Sequence, residues 1–364
     1  MMLKKSLRKF PRQISTPLLS QRGGFPSQIR ASSFSSPNQD DLKKSTPVKE
    51  TVDIPQAPPA GSFRAYMELG RFHKPIGSYL LAWPCLWSIG MGTPINVFPD
   101  PFICGAFVAG SFLLRSGGCV INDLCDRDLD NKVERTKVRP LASGALSPAQ
   151  AWAFLVANFG GGLGVLLYLD PSCFWIAMAS MPLVFGYPLA KRYTHYPQFV
   201  LGSVFGWGSL MGYLAATAGV YNWSVMAPLY LGCWSWIVFY DTIYGHQDKR
   251  FDKQIGVKST ALTWGDNTKK VLPHLANMTA LFWTLSGYYC GLNWAYYASV
   301  AAARAHMEWQ TKTVDLDNPE DCGNKFKSNS HLAAIIFVGV ILGKFDSLSL
   351  ESLRGKKKTQ EALE

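Results

Sequence analysis

The sequence has 364 residues, of which 48% are hydrophobic and only 17% are charged, too few charges for the surface of an ordinary soluble protein. The net charge of +11 does not indicate nucleic-acid binding, because the cations lie in the N-terminal segment and in short loops rather than along one helix face. The cysteines form no CxxC pair and the histidines are isolated, which argues against a disulfide framework and a zinc site. The composition therefore favours an integral membrane protein.

The N-terminal segment is basic and poor in acids. Residues 1–39 are rich in Lys, Arg and Ser and contain no Asp or Glu. That composition is typical of a mitochondrial transit peptide, whereas a secretory signal needs a continuous apolar core. We predict a transit peptide over residues 1–45, with a merely disordered basic tail as the alternative, and a linker rich in Pro, Ser and Ala over residues 46–63.

Nine apolar runs follow, each about long enough to cross a bilayer. They lie at 75–92, 102–121, 149–169, 171–187, 199–220, 223–240, 271–289, 292–309 and 331–345. We predict an all-α polytopic membrane protein, a bundle of about nine transmembrane helices within a domain at 64–347, followed by a polar tail at 348–364.

The connections between these runs alternate in charge. Loops at 93–101, near 170, at 221–222 and at 290–291 contain no Lys or Arg. Nearly all the loop cations lie in the other set, at 122–148, 188–198, 241–270 and 310–330. By the positive-inside rule, this second set faces the matrix or cytoplasm.

Two acidic segments lie in these basic loops. Asn122, Asp126 and Asp130 share one face if the second apolar helix continues through them. Carboxylate and amide oxygens suit Mg²⁺, which takes few protein carboxylates and leaves its other positions to water and phosphate. A solvated charged loop is the alternative for this stretch alone. The second segment repeats the pattern, since the spacing of Asp241, Asp248 and Asp252 also predicts one helical face.

Four motifs resemble the UbiA family of intramembrane aromatic prenyltransferases, over roughly residues 64–345. They run from Arg71 to Gly77, from Asn122 to Gly144, from Tyr187 to Arg192 and from Asp248 to Thr260. The N-terminus and the stretch from Asn318 to Phe326 resemble the mitochondrial branch of that family. The resemblance implies transfer of a polyprenyl group from an all-trans polyprenyl diphosphate to 4-hydroxybenzoate. Attack comes from the ring carbon ortho to the hydroxyl and releases diphosphate, an early step of ubiquinone synthesis.

The predicted site follows from this chemistry, in which carboxylate-bound Mg²⁺ neutralises a departing diphosphate. The predicted catalytic and metal-binding residues are Asn122, Asp126, Asp130, Asp248 and Asp252. The predicted substrate-binding residues are Arg71, Lys74, Arg115, Arg139, Tyr187, Lys191, Arg192, Asp241 and Lys258.

The cations in the substrate-binding set have separate predicted tasks. Most of them are expected to contact phosphate, although membrane orientation alone also accounts for them. Arg71 or Arg115 is expected to pair with the acceptor carboxylate, with snorkelling to the loop as the alternative for Arg115. Aromatic faces would line the path of a carbocation, and those available, none of them assigned, are Trp83, Trp87, Phe205, Trp207, Trp234 and Trp236.

The expected location is the mitochondrial inner membrane, with the site facing the matrix. The expected partners are the two substrates and the lipid bilayer, without nucleic acid, and the resemblance allows association with other ubiquinone-synthesis enzymes. Another aromatic acceptor is the nearest alternative. An ion-coupled transporter is a more distant alternative. Intramembrane carboxylates also carry ions, but ion transport does not require two diphosphate signatures. The Asp-Gly-x-x-Ala-Arg block of CDP-alcohol phosphotransferases is absent from the sequence.

Overall fold

The computed structural model describes residues 56–131 and 136–345, and these residues form helices without any strand. The helices are α1 (Phe63–Leu69), α2 (Ile76–Gly92), α3 (Pro101–Asp130), α4 (Pro148–Tyr168), α5 (Pro171–Tyr193), α6 (Pro197–Gly206), α7 (Gly208–Ala216), α8 (Trp223–Gly245), α9 (Lys249–Ile255), α10 (Thr260–Trp264), α11 (Thr268–Tyr289), α12 (Trp294–Thr313) and α13 (Pro319–Lys344). The predicted transit peptide, most of the linker and the C-terminal tail lie outside the described residues.

The described part of the chain contains nine long helical segments when α6 and α7, which only Trp207 separates, are counted together. This confirms the predicted fold class. Among the described residues, five segments are both long and apolar enough to cross a membrane: Pro101–Asp128, Pro148–Tyr168, Pro171–Tyr193, Pro197–Ala216 and Pro319–Lys344. Exposed aromatic rings lie near the turns that lack Lys and Arg, as at a membrane–water interface. They are Tyr168, Trp175, Tyr221, Trp223, Tyr288, Tyr289 and Trp294.

Three tryptophans form the centre of the bundle. Trp87, Trp236 and Trp283 are fully buried, and the ring centroid of Trp87 lies 5.2 Å from that of Trp236 and 5.0 Å from that of Trp283. Each of the first two indoles also reaches α13, because Trp87 Nε1 donates to Ala333 O at 3.0 Å and Trp236 Nε1 donates to Asn329 Oδ1 at 3.0 Å. These contacts tie α2, α8, α11 and α13 together.

Several helices extend beyond their apolar runs into segments that the sequence alone assigns to loops. The predicted run at 331–345 belongs to α13, which already begins at Pro319 because Asn318 Oδ1 accepts from the amides of Glu320 and Asp321. The second run, predicted at 102–121, continues as α3 to Asp130. Polar side chains on these extensions therefore have helical spacing.

The second acidic segment differs from its prediction. One helical face through Asp241, Asp248 and Asp252 is wrong, because α8 ends at Gly245 and a 3₁₀ turn at His246–Asp248 precedes α9. Asp241 belongs to α8, Asp248 to the turn and Asp252 to α9.

Candidate active site

A cavity of about 1990 Å³ lies within the bundle. It exceeds the roughly 300–1,000 Å³ of ordinary small-molecule pockets. Its lining runs along α3 from Ala106 to Asp130, a helical rise of about 36 Å at 1.5 Å per residue. The end near Asp130 is charged, and the other end is apolar, with Phe107, Leu169 and Phe174. The cavity therefore has room for a long apolar group attached to an anionic head.

Nearly all of the predicted site residues line this cavity. They are Asn122, Asp126, Asp130, Asp248, Asp252, Arg71, Lys74, Arg115, Arg139, Tyr187, Lys191, Arg192 and Asp241. The exception is Lys258, whose Nζ donates to Tyr193 O at 3.2 Å. Its ammonium lies at the C-terminal end of α5, where helix carbonyls attract a cation.

The side chains of the first acidic segment differ in burial and in partners. Asn122 and Asp126 are half-buried and face the cavity. Asp130 is buried, and both its carboxylate oxygens accept from Nη1 of Arg139, at 3.0 and 2.8 Å. Arg192 Nη2 lies 3.4 Å from Asp126 Oδ1 and 3.0 Å from the carbonyl oxygen of Cys125. Asp126 is therefore within reach of a cation but less tightly paired than Asp130.

Sequence reasoning did not assign a role to Asp123, although it lies inside the motif. Its side chain is 2% exposed, and its two oxygens accept from Nη2 of Arg71 at 2.8 and 3.0 Å. A signal was present, because Asp123 and Asp130 are seven residues apart and share a helix face. The partner Arg71, 52 residues earlier in the chain, could not be deduced from spacing.

Lys191 connects the two acidic segments. Its ammonium lies within electrostatic range of Asp126, Asp241 and Asp252, and 5.7 Å from the ring centroid of Tyr187. The residues of α3, α8 and α9 therefore surround one cation from α5. A phosphate entering here would meet Lys191 between carboxylates that belong to different parts of the chain.

Arg115 lies deeper in the cavity than the other cations of the predicted set. A Cβ at position 77 would lie 2.6 Å from Arg115 Nε, so Gly77 leaves the space that the guanidinium occupies. Among the described residues, no hydrogen bond or ion pair to this guanidinium is found, although Asp241 and Tyr187 lie within electrostatic range. The hydroxyl of Tyr240, which also lines the cavity, is buried and has no hydrogen-bond partner within the described part.

The aromatic side chains of the cavity differ from the set available in the sequence. Phe205 and Trp207 line it, whereas Trp83, Trp87, Trp234 and Trp236 do not. Other aromatic residues, which the sequence analysis did not name, line the cavity, among them Tyr240, Tyr244 and Phe326. The ring centroids of Tyr244 and Phe326 lie 4.4 Å apart. The helical phase of α8 and the tryptophan core decide which rings face the cavity.

The donor set is compatible with a hard divalent cation that takes most of its ligands from a substrate. Within the described residues, no three His, Cys, Asp or Glu side chains are placed to hold a metal by themselves. Oxygen donors from Asn122, Asp126, Asp248 and Asp252 nevertheless line one cavity. Burial alone would lower the pKa of Arg139, but Asp123 and Asp130 raise the pKa overall and keep the guanidinium charged. Mg²⁺ is usually bound by one or two carboxylates plus substrate phosphates.

The fold and the cavity define a class of protein. It is a helical membrane protein that encloses a long apolar cavity with acidic and basic side chains at one end. The model of the UbiA prenyltransferase family matches residues 81–336. The chain belongs to this family.

Eight curated relatives at 42–47% identity carry one name, mitochondrial 4-hydroxybenzoate polyprenyltransferase. The protein from Arabidopsis thaliana is 46% identical over 310 residues, covering 85% of this chain and 76% of the relative. The one from Caenorhabditis elegans is 47% identical over 290 residues, covering 79% and 80%. The Homo sapiens protein is 45% identical over 280 residues, covering 76% and 75%.

Solved structures share the fold. A UbiA homolog from Aeropyrum pernix aligns with a TM-score of 0.62 and 21% identity, covering 73% of this chain and 97% of that one. A UbiA homolog from Archaeoglobus fulgidus, bound to GPP and Mg²⁺, aligns with a TM-score of 0.61 and 18% identity, covering 76% and 99%.

Proposed function

We propose that this chain transfers a polyprenyl group from a polyprenyl diphosphate to 4-hydroxybenzoate in ubiquinone biosynthesis. The bond between the allylic carbon and the diphosphate oxygen breaks, and a bond forms to the ring carbon ortho to the hydroxyl. That carbon then loses its proton, and the diphosphate released in the first step is the second product. The names of the curated relatives support this activity. The observation that carries it is the single cavity with an apolar length and a charged end.

The charged end is the proposed diphosphate site. Asn122, Asp126, Asp248 and Asp252 would hold a divalent cation, Mg²⁺, which neutralises charge on the departing diphosphate. The archaeal relative whose structure contains GPP and Mg²⁺ supports this choice of metal. Asp130 belongs to the predicted metal set too, although its pairing with Arg139 leaves it less accessible to a metal.

The protein's own cations orient the diphosphate. Lys191 lies between the two acidic segments, while Arg139 and Arg192 approach from the loop after α3 and from α5. Guanidinium groups bind phosphate through paired hydrogen bonds, and an ammonium contributes a compact charge. Where the bound substrate displaces water from the cavity, these interactions are stronger than at a surface.

The acceptor carboxylate is assigned to Arg115 rather than Arg71. Arg71 already holds Asp123, whereas Arg115 has a guanidinium without an ion-pair partner in the described part. The unpartnered hydroxyl of Tyr240, which lines the same cavity, offers a hydrogen bond to a carboxylate or a phenol. The faces of Tyr244 and Phe326 would stabilise a nearby carbocation without reacting with it.

The proposed location is the mitochondrial inner membrane, with the charged end of the cavity toward the matrix. The mitochondrial names of the relatives support the organelle. The excess of Lys and Arg in the loops at this end supports the orientation.

The test is a transfer assay with purified protein in liposomes. Labelled polyprenyl diphosphate is offered with 4-hydroxybenzoate and with a panel of other phenolic acids. Prenylated 4-hydroxybenzoate as the main product is expected. If another phenol were prenylated efficiently instead, the protein would still be a prenyltransferase, but 4-hydroxybenzoate would not be its acceptor. Ion flux without any prenylated product would support a transporter.

A further inference from the structure

Asp123 belongs to a network of four charges at the end of α3. Its oxygens accept from Arg71 Nη2 at 2.8 and 3.0 Å, and its Oδ1 lies 3.3 Å from Arg139 Nη1. The same Nη1 donates to both oxygens of Asp130. Two carboxylates and two guanidinium groups thus form one network, here called the arginine clamp: Asp123, Asp130, Arg71 and Arg139.

The clamp carboxylates, of which Asp130 also belongs to the predicted metal set, differ from Asn122 and Asp126 in their partners and burial. Asp123 and Asp130, seven residues apart, face the arginines and are buried. Asn122 and Asp126, four residues apart, are half-buried, and like Asp123 and Asp130 they line the cavity. The two groups therefore differ in partners and exposure although they alternate in sequence.

Arg71 has a strained backbone that the clamp helps to hold. Its φ of +59° lies in the left-handed region, which costs a residue other than glycine roughly 1–3 kcal/mol. Besides Asp123, its guanidinium binds Glu68 O, through Nη1 at 2.8 Å. Such a conformation persists only where surrounding contacts fix it. Asp123 therefore fixes the turn that leads into α2 and toward Gly77.

Arg139 is the member of the clamp with capacity for a ligand. Its side chain is 26% exposed and lines the cavity, and its hydrogen bonds within the described part all use Nη1. No described residue accepts a hydrogen bond from Nη2 or Nε, so these donors can bind an anion. Because Asp123 and Asp130 hold the shared nitrogen, the remaining donors keep one orientation instead of sampling many rotamers.

We propose that Asp123 is a positioning residue that orients Arg139 toward the diphosphate of the substrate and does not bind the metal. This role rests on the proposed function, since it needs a diphosphate substrate. The carboxylate of Asp123 acts through the guanidinium, in contrast to Asp126.

The test compares Asp123→Asn with Asp126→Asn and with a control, Asp128→Asn. The control lies at the same helix end, with a side chain 84% exposed and outside the cavity lining. Four quantities are measured on purified protein: equilibrium binding of a prenyl thiodiphosphate, KM and kcat for both substrates, the Mg²⁺ concentration for half-maximal rate, and the melting temperature.

For Asp123→Asn we expect thiodiphosphate binding to weaken and the KM for polyprenyl diphosphate to rise by roughly tenfold, the scale of one charge-assisted hydrogen bond. The Mg²⁺ requirement and the KM for 4-hydroxybenzoate should stay at wild-type values. Asp126→Asn should instead raise the Mg²⁺ requirement, and Asp128→Asn should change neither quantity.

Two results overturn the proposal. A raised Mg²⁺ requirement in Asp123→Asn, matching that of Asp126→Asn, makes Asp123 a metal ligand. A lower melting temperature with unchanged binding and KM makes the clamp purely structural. If Asp123→Asn does not accumulate, Asp123→Glu keeps the charge, displaces the guanidinium and is judged by the same criteria. Wild-type protein that binds the thiodiphosphate but transfers nothing contradicts the proposed function, while the binding comparison still decides the role of Asp123.

Discussion

At the end of α3, the partner of each carboxylate decides what that carboxylate does. Asp123 and Asp130 are buried against guanidinium groups, and removing one partner of such a pair costs about 3–5 kcal/mol. Asp126 is half-buried and lies 3.4 Å from a single arginine nitrogen, so a metal competes with that arginine for it more easily. Aspartates a few positions apart therefore have different roles. Asp123 and Asp130 hold arginine side chains, whereas Asp126 is accessible to a metal.

Replacing Asp126 or Asp248 by alanine should abolish transfer and leave the protein inserted and folded, because each removes an oxygen ligand whose charge serves the metal. Product formation and membrane-extracted protein are measured together, with Asp128→Ala as the control. Variants that fail to accumulate would indicate a structural role. Near-normal turnover in both would refute a site made from two acidic segments.

Arg115→Gln should lower kcat/KM for 4-hydroxybenzoate by roughly tenfold to a hundredfold, the value of a hydrogen-bonded charge pair. In the same variant, kcat/KM for the neutral methyl ester of the acceptor should change little, because the ester has no carboxylate to pair with Arg115. Arg304→Gln, which removes a guanidinium paired with Glu308 outside the cavity lining, is the matched control. Equal losses for acid and ester would show that Arg115 supports the fold rather than the acceptor.

At the level of helices, close packing fixes the walls of the cavity. α2 approaches α7 at Gly212, where a Cβ would lie 2.5 Å from Cys85 O and also meet Ser88 Oγ. A backbone carbonyl within a helix cannot move aside as a side chain can. α2 and α7 both contribute residues to the cavity lining, so their separation affects its shape.

Gly212→Ala should destabilise the protein by about 1–3 kcal/mol, as overpacking of a dense interior does. Gly164→Ala in α4 is the matched control, because nothing lies within 4 Å of its added Cβ. That substitution should be neutral or stabilising by about 0.5–1 kcal/mol, since alanine favours a helix over glycine. Melting temperatures in one detergent compare the two. Equal melting temperatures would mean that α2 and α7 separate without cost.

The sequence predicts helices and acidic segments well, but not their partners. Hydrophobic length locates all nine segments, and motif spacing places Asn122 and Asp126 on one face. The pairing of Asp123 with Arg71 depends on how α1, α3 and the following loop pack, and no local pattern encodes it. The start of α13 at Pro319 was missed for a different reason, because its polar first turns face the cavity and the loops rather than lipid.

At the level of the whole molecule, both acidic segments lie at one end of one cavity, although they come from separate parts of the chain. The turns at the other end lack Lys and Arg and carry exposed aromatic rings. The difference in charge between the two ends predicts a fixed orientation in the membrane, with the charged end toward the matrix.

Single cysteines at Lys137 and Lys253, and others at Val97 and Val220, test this orientation after the native cysteines are replaced. In mitoplasts, an impermeant thiol reagent should label only the positions at 97 and 220, and should reach 137 and 253 after permeabilisation. All four positions are exposed in the structure. Labelling of 137 without 253, or the reverse, would place the acidic segments on opposite sides of the membrane.

The central claim is that one metal-dependent diphosphate site, built from both acidic segments, drives prenyl transfer. The most direct measurement is the yield of prenylated 4-hydroxybenzoate and of free diphosphate from purified protein in liposomes, before and after exhaustive chelation. Equal yields of both products are predicted with Mg²⁺, none after EDTA, and partial recovery with Mn²⁺, which accepts the same oxygen ligands. Full transfer after exhaustive chelation would contradict the account.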